Sequence, residues 1–191
     1  MAKAIFLDKD GTLIPDIPYN VNPALITIEE NAVEGLKGLV NEGYLLIIVS
    51  NQSGAARGLF TEDKLAGVEQ KIRDLLQVEN ITLDGFYYCP HHPEGSVRQY
   101  AINCGCRKPM PGMILKASAE HDIDLSSSWM IGDILNDAEA GNRAGCKTIL
   151  IDNGNETEWL QGEYRTPTFV CKSINEAAAH ILSKQHELAE L

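Results

Sequence analysis

The sequence contains no long apolar segment. Its longest apolar run, Tyr44–Val49, is far shorter than the ~20 residues that a helix needs to cross a bilayer. The chain also opens directly on a strand-like run, without the basic and then apolar stretch of a secretion signal. These features argue against a membrane-spanning protein, and they predict a cytoplasmic one that binds no membrane.

Basic residues are scarce as well. Lysine and arginine number 16 against 27 aspartates and glutamates, which gives a net charge of −11. Nucleic acids and anionic lipid surfaces select basic protein faces, because their phosphates are negatively charged. The composition therefore argues against a nucleic-acid partner.

Cysteine is limited to five residues, an odd number that does not suggest a disulfide scaffold in a cytoplasmic protein. Cys146 and Cys171 lie in apolar surroundings, which is typical of ordinary core residues. The other three lie close to histidine in the sequence, which points to a metal site. No G-x-x-x-x-G-K-[ST] motif occurs, so a phosphate site in this chain is not that of a P-loop NTPase.

The chain does have enough apolar material for one well-buried domain. It contains 191 residues, 44% of them hydrophobic, with no repeat, low-complexity tract or linker. We therefore expect a single domain over residues 1–191. Six apolar runs read as strands and alternate with helix-period segments: Ala4–Asp8, Leu45–Asn51, Gly85–Cys89, Ser128–Asp133, Lys147–Asp152 and Thr168–Cys171. This alternation predicts an α/β fold with a parallel sheet covered by helices on both faces.

Three helices have recognisable boundaries. Thr61 is the predicted N-cap of a helix with four apolar residues at helical spacing: Leu65, Val68, Ile72 and Leu75. Pro111 opens a second helix, and an alanine-rich third covers residues 175–188. The segments after Leu13 and Phe60 are expected to lead quickly into helices, which leaves no room for a large cap domain.

Polar side chains occur at four places that follow predicted strands, and the third of these places is the end of a long loop just before a helix. They are Asp8 and Asp10, then Ser50, Asn51 and Ser53, then Arg107 and Lys108, and finally Asp133 and Asp137. In a parallel sheet, ligands bind beyond the carboxyl ends of the strands. Carboxylates from two strand ends that meet there would suit Mg²⁺, and the lysine and arginine would hold phosphate oxygens.

Each of these pieces has an ordinary explanation when taken alone. Asp10-Gly11 after a strand is most often only a turn. Arg107 and Lys108 could be a solvated pair, and Asp137 could merely cap a helix. A calcium loop is poorly supported, because it would make Phe6 the first ligand. All four strand ends in this order are much less likely to occur by accident, and the functional interpretation rests on their combination.

A long loop over residues 89–106 combines three cysteines with a histidine. Cys89, His91, Cys104 and Cys106 form a C-x-H and C-x-C arrangement, which would complete a closed, structural zinc site. His92 is an alternative ligand to His91. The plainer interpretation is that these are reduced thiols in a loop, but a loop of this length usually needs a staple or a function.

Taken together, D-x-D-G-T, a strand-terminal serine, a lysine and G-D-x-x-x-D resemble the four motifs of the haloacid dehalogenase (HAD) superfamily. The resemblance implies a Rossmann-like core in which Asp8 is the nucleophile that forms an aspartyl-phosphate, and Asp10 is the general acid and base. It also implies that Ser50 and Lys108 stabilise the phosphoryl group. Mg²⁺ would be held by the Asp8 carboxylate, the Asp10 backbone carbonyl and Asp133.

The cysteine loop makes the chain similar to the HAD phosphatases with C-x-H…C-x-C zinc loops. That group includes the heptose bisphosphate phosphatases and the histidinol-phosphatases, and the long gap between His91 and Cys104 resembles the heptose enzymes more closely. The resemblance implies that six residues contact the substrate: Asp16, Tyr19, Asn51, Gln52, Ser53 and Arg107. These relatives commonly have lysine directly after the metal aspartate, where this chain has Ile134.

We therefore expect Mg²⁺-dependent hydrolysis of a small sugar phosphate, with removal of the 7-phosphate of a heptose bisphosphate as the first choice. Histidinol phosphate, or another small sugar phosphate, is the alternative substrate. A phosphotransferase would need a second, nucleotide-binding site, and none is recognisable. A zinc-ribbon binding module is the alternative outside enzymes. The acidic surface, with no exposed apolar helix, predicts a monomer.

Overall fold

The computed structural model describes residues 1–189, and its core is one six-stranded parallel sheet. The strands are β1 (Lys3–Leu7), β2 (Tyr44–Asn51), β3 (Gly85–Cys89), β4 (Trp129–Gly132), β5 (Lys147–Ile151) and β6 (Phe169–Cys171). Their order across the sheet is β3-β2-β1-β4-β5-β6. All six predicted strands are present, and no end differs from its prediction by more than one residue.

Five α-helices cover the sheet: α1 (Val33–Asn41), α2 (Lys64–Val78), α3 (Gly112–His121), α4 (Leu135–Ala144) and α5 (Ile174–Ala189). Helices α1, α2 and α5 share one buried cluster with the β1 side chains Ile5 and Leu7. Helices α3 and α4 share another with Ala4 and Phe6. Alternate residues of β1 therefore face opposite helix layers, which confirms the predicted fold class.

Cys146 and Cys171 are both buried within these two clusters, as the sequence predicts. Among the residues that the structure describes, no helix is long and apolar enough to span a membrane.

Two expectations about the helices are wrong. Helix α2 begins at Lys64, and its N-cap is Asp63 instead of Thr61. The carbonyl of Thr61 accepts from the amide of Lys64 in a tight turn, so the chain is still turning at that point. The segment after Leu13 also does not lead quickly into a helix. It stays irregular up to α1, except for one 3₁₀ turn at Pro23–Leu25.

The order of the strands fixes where a ligand can bind. Strand β1 pairs with β2 on one side and with β4 on the other, both in parallel. From β1 the chain proceeds outward through β2 and β3, and then returns to the other side of β1 with β4. This reversal opens a crevice at the carboxyl ends of β1 and β4.

Candidate active site

Asp8 is the first residue beyond β1, and the sheet holds it at the crevice. Its backbone amide donates to the carbonyl of Ile131 in β4 at 2.9 Å. The chain then turns sharply, with Gly11 at a φ of +80°, a value that favours glycine. The Asp8 side chain is almost completely buried, and it therefore needs a charged partner.

That partner is Lys108, the residue that the sequence predicts to bind phosphoryl oxygens. Its buried ammonium lies 2.5 Å from Oδ1 of Asp8 and 2.7 Å from Oδ1 of Asp137, and it donates to the carbonyl of Val49 at 2.8 Å. Burial alone would lower the pKa of Lys108, but Asp137 and Asp8 together raise it above its ordinary value. The lysine is therefore a permanent cation at the centre of the site.

The backbone of Lys108 is fixed by a reciprocal contact. The Asn51 side chain donates from Nδ2 to the Lys108 carbonyl and accepts on Oδ1 from the Lys108 amide, both at 3.0 Å. This pair links the end of β2 to the loop before α3.

Asp133 follows β4 and completes a cluster of three buried carboxylates with Asp8 and Asp137. Their ligand atoms all lie within 4.8 Å of one another. Oδ1 of Asp133 accepts from the Thr12 hydroxyl at 3.2 Å. Burial, reinforced by the charges of Asp8 and Asp137, raises the pKa of Asp133 to about 7. The cluster holds three carboxylates, and the Lys108 ammonium contacts only Asp8 and Asp137. The surplus negative charge suits a divalent cation.

Asp137 is the member of this cluster for which the sequence suggests helix capping as the ordinary explanation. It lies in the first turn of α4, where its Oδ2 accepts from the backbone amide of Ile134 at 3.2 Å. It therefore caps the helix and binds Lys108 with the same side chain. A Cβ at Gly132 would lie 2.2 Å from Oδ2 of Asp137, so glycine is required before Asp133.

Asp10 lies beside the cluster and is more accessible than Asp8. Its Oδ1 is 2.5 Å from the buried ammonium of Lys9, and its Oδ2 accepts from Nε2 of Gln52 at 3.0 Å. The same amide nitrogen donates to the hydroxyl of Ser50 at 2.7 Å. Ser50 is buried beneath Gln52, so its predicted contact with a phosphoryl group stays a prediction.

The cysteine loop joins β3 to α3 and contains no helix or strand. The sulfurs of Cys89, Cys104 and Cys106 lie 3.1–3.5 Å apart. Nδ1 of His91 lies 3.4 Å from the Cys106 sulfur and 3.6 Å from that of Cys89. His92 points elsewhere, with its Nε2 3.2 Å from the guanidinium of Arg57. The structure therefore gathers the four predicted ligands, with His91 as the histidine.

Comparison with known proteins agrees with this geometry. Residues 105–177 match the family model described as HAD-hydrolase-like. The chain is 44% identical over 155 residues to the D-glycero-beta-D-manno-heptose-1,7-bisphosphate 7-phosphatase of Pasteurella multocida, covering 81% of this chain and 84% of that protein. It is 40% identical over 166 residues to the enzyme of the same name from Escherichia coli K12, covering 82% and 87%. The chain belongs to this phosphatase family.

A solved structure gives the same result for the fold. The D,D-heptose 1,7-bisphosphate phosphatase from B. bronchiseptica, complexed with magnesium and phosphate, superposes with a TM-score of 0.81 at 31% identity, covering 95% of this chain and 99% of that one. The resemblance to HAD phosphatases is thereby confirmed, and with it the α/β core without a large cap. The alternative of a zinc-ribbon module has no support in the fold.

The predicted substrate-binding residues of this family member line three neighbouring cavities. The catalytic cavity, of about 270 Å³, is lined by Asp8, Asp10, Asp16, Asn51, Lys108, Asp133, Ile134, Asp137 and Asn155. A second, of about 290 Å³, shares Asp10, Asp16 and Asn51 with it and adds Tyr19, Gln52 and Ser53. Arg107 lines a third, of about 250 Å³, that also reaches Lys108. The predicted contacts thus surround the catalytic centre.

The segment after β5, residues 153–159, here called the β5 loop, contributes to the site without having been predicted from the sequence. Asn155 of this loop lines the catalytic cavity and contacts Asp133. The only available signal was a polar stretch, DNGNE, after the fifth strand. Its composition is typical of any surface loop, and the sequence does not indicate which neighbour it contacts.

Proposed function

We propose that the chain removes the 7-phosphate of D-glycero-β-D-manno-heptose 1,7-bisphosphate by Mg²⁺-dependent hydrolysis through an aspartyl-phosphate on Asp8. One observation carries the proposal. Asp8, Lys108 and Asp133 meet in a single cavity, in a chain up to 44% identical to phosphatases named for this substrate. The beta anomer follows from the names of those relatives.

The residues at the crevice fit a magnesium ion. The carboxylates of Asp8 and Asp133 and the backbone carbonyl of Asp10 would hold it, and all are hard oxygen donors. The surplus negative charge of the buried carboxylate cluster supports this assignment, as does the magnesium named with the B. bronchiseptica enzyme. When bound, the ion would neutralise charge on the phosphoryl oxygens.

The side chains supply the remaining chemistry. An Asp8 oxygen attacks phosphorus, the bond from phosphorus to the sugar oxygen breaks, and Asp10 gives its proton to that oxygen. Asp10 then takes a proton from water as the water oxygen attacks phosphorus, which releases phosphate and restores Asp8. Burial raises the pKa of Asp8, and the Lys108 ammonium opposes that rise. Lys108 also orients the Asp8 carboxylate and reduces its repulsion with the incoming phosphate.

The cavities around the centre suggest how the rest of the substrate binds. The primary C7 phosphate stands on an exocyclic arm that reaches the buried aspartates. The C1 phosphate would remain outside, where Arg107 offers a planar guanidinium for a bidentate contact. Asp16, Tyr19, Asn51, Gln52 and Ser53 would contact the sugar. Ile134 lines the catalytic cavity, where its apolar side chain supplies no positive charge.

We assign zinc to the Cys89, His91, Cys104 and Cys106 cluster, as a structural ion. The sulfur separations of 3.1–3.5 Å are much longer than a disulfide bond. They approach the roughly 3.8 Å expected around a tetrahedral zinc ion with sulfurs at about 2.3 Å. Four protein ligands would leave no open position, so the ion would hold the loop and take no part in the reaction.

A phosphate-release screen tests the proposal. The chain would be assayed with and without MgCl₂ against heptose 1,7-bisphosphate, histidinol phosphate and other small phosphomonoesters, with Asp8→Asn as the inactive control. We expect the heptose bisphosphate to give the highest kcat/KM, and phosphorus NMR to show the 1-phosphate sugar accumulating. Preference for histidinol phosphate, or accumulation of the 7-phosphate sugar, would refute the substrate assignment.

A further inference from the structure

Besides Asn155, two residues of the β5 loop attach it to neighbouring segments of the site by side-chain hydrogen bonds: Asn153 and Glu156. Nδ2 of Asn153 donates to the carbonyl of Gly11 at 2.7 Å, and its Oδ1 accepts from the amide of Asn155 at 3.1 Å. Glu156 accepts on Oε2 from the amide of Leu135, the first residue of α4, at 2.7 Å. The loop therefore bridges the turn after β1 and the start of α4.

Between these two attachments, Asn155 reaches Asp133. Its Nδ2 donates to Oδ2 of Asp133 at 2.6 Å, while Thr12 donates to the other oxygen. The contact occupies space that only glycine leaves free. A Cβ at Gly11 would lie 2.3 Å from Oδ2 of Asp133 and 2.5 Å from Nδ2 of Asn155.

The two donors restrict how Asp133 can turn. The terminal torsion of an aspartate is broad, so a carboxylate without partners samples many orientations. With one donor on each oxygen, Asp133 is fixed in a single orientation and still has lone pairs for a cation. Both donors are neutral, so they preserve the negative charge that attracts a metal. Partners of this kind orient metal ligands in many proteins.

We infer that Asn155 is a positioning residue for the divalent cation, acting by fixing the Asp133 carboxylate. This inference rests on the proposed function, because it assumes that Asp133 binds Mg²⁺. A competing role is simple anchoring of the loop. Asn153 and Glu156 already anchor the loop on both sides of Asn155, so removal of the Asn155 side-chain carboxamide leaves the loop attached.

The test measures Mg²⁺ binding directly. MgCl₂ would be titrated calorimetrically into the wild-type chain, Asn155→Ala, and the control Thr157→Ala, whose residue is exposed in the same loop. We expect Asn155→Ala to raise the Mg²⁺ dissociation constant roughly 10- to 100-fold. Thr157→Ala should bind like the wild type. The metal-free Tm of Asn155→Ala should fall by no more than the few degrees that loss of one hydrogen bond costs, and saturating MgCl₂ should restore most of its kcat.

Three results would overturn the inference: wild-type Mg²⁺ affinity in Asn155→Ala, an equal loss in Thr157→Ala, or a marked fall in the metal-free Tm of Asn155→Ala, which would indicate anchoring. Failure of the proposed function looks different. In that case the wild-type chain itself would bind no Mg²⁺ or release no phosphate. A wild-type chain that binds Mg²⁺ and turns over, beside an unaffected Asn155→Ala, rejects this inference alone.

Discussion

Lys108 forms the centre of the charge distribution at the active site. A single ammonium contacts Asp8 and Asp137, while Asp133 completes the carboxylate cluster beside them. Buried charges are costly unless they are paired. An added cation should therefore stabilise the cluster. Each of its residues can be tested by a substitution that changes one charge.

Asp8→Asn should abolish turnover while the protein remains folded. The substitution keeps the shape of the side chain but removes the attacking oxygen charge and one metal ligand. We expect kcat to fall at least ~10³-fold, measured by phosphate release at saturating MgCl₂. The far-UV circular dichroism should match that of the wild type. Turnover within tenfold of the wild type would exclude an aspartyl-phosphate on this residue.

Asp133→Asn should stabilise the metal-free protein at neutral pH. The folded pKa of Asp133, about 7, lies above the ordinary aspartate value of 3.8, so the folded state binds more protons than the unfolded state between these values. Stability of the wild type should therefore fall as pH rises from 4 to 7, and it should level off above 7. The asparagine variant should lack this part of the decline, roughly 4 kcal/mol, because each pKa unit between 3.8 and about 7 corresponds to about 1.4 kcal/mol.

Urea unfolding in EDTA at pH 4.5, 6 and 7.5 measures this difference. The gap between variant and wild type should widen with pH and close again when MgCl₂ is added to the wild type. A gap that stays constant with pH would show that Asp133 is ionised in the folded chain throughout this range.

Arg107→Ala should weaken binding of the C1 phosphate and leave the reaction at the C7 phosphate largely intact. A bidentate guanidinium contact is worth ~1.5–3 kcal/mol, so kcat/KM for the bisphosphate should fall roughly 10- to 100-fold, mostly through KM. A monophosphorylated substrate should lose much less. An equal loss on both substrates would place the guanidinium away from the C1 phosphate.

At the level of whole elements, the cysteine loop links a structural cluster to the catalytic lysine. Cys106 is followed directly by Arg107 and Lys108, and the Arg107 guanidinium lies 3.4 Å from the carbonyl of His91. The loop has no helix or strand to hold these residues in place. We therefore expect the Cys/His cluster to help Asn51 hold the Lys108 backbone, while Asp8, Asp137 and the Val49 carbonyl hold its ammonium.

Loss of zinc should therefore lower activity even though the ion takes no part in the reaction. Elemental analysis of untreated protein should give close to one zinc per chain, and Cys104→Ser should reduce both zinc content and kcat. Cys146→Ser, at a buried cysteine outside the cluster, serves as the control and should retain zinc. Full activity in zinc-free protein would disprove the coupling.

The elements that the sequence predicts well are those with a local signal. The strands are short apolar runs with clear ends, and the D-x-D-G-T and G-D-x-x-x-D segments lie directly beyond two of them. The start of α2 differs from the prediction because long-range contacts hold the segment before it: Glu62, next to Thr61, accepts from the hydroxyls of Tyr88 and Tyr100. The β5 loop was missed because its contacts with Gly11 and Asp133 join residues that are distant in the sequence.

For the molecule as a whole, we predict a monomer in solution. The net charge of −11 opposes self-association, and the large apolar side chains that remain exposed belong to many separate segments of the described chain. Light scattering coupled to size-exclusion chromatography should give a mass close to 21.0 kDa. A mass near twice that value, stable on dilution, would contradict this prediction.

The central position of β1 governs how the chain can fold as it is synthesised. Strand β1 emerges first, but its neighbour β4 lies more than a hundred residues further on, and Lys108 reaches Asp8 across a separation of 100 residues. Until β4 has left the ribosome, one edge of β1 has no strand to pair with, and it remains open to other chains. Pairing between strands that are so far apart in the sequence is slow. We therefore expect Asp8, the proposed nucleophile, to reach its working surroundings only after β4 has been made.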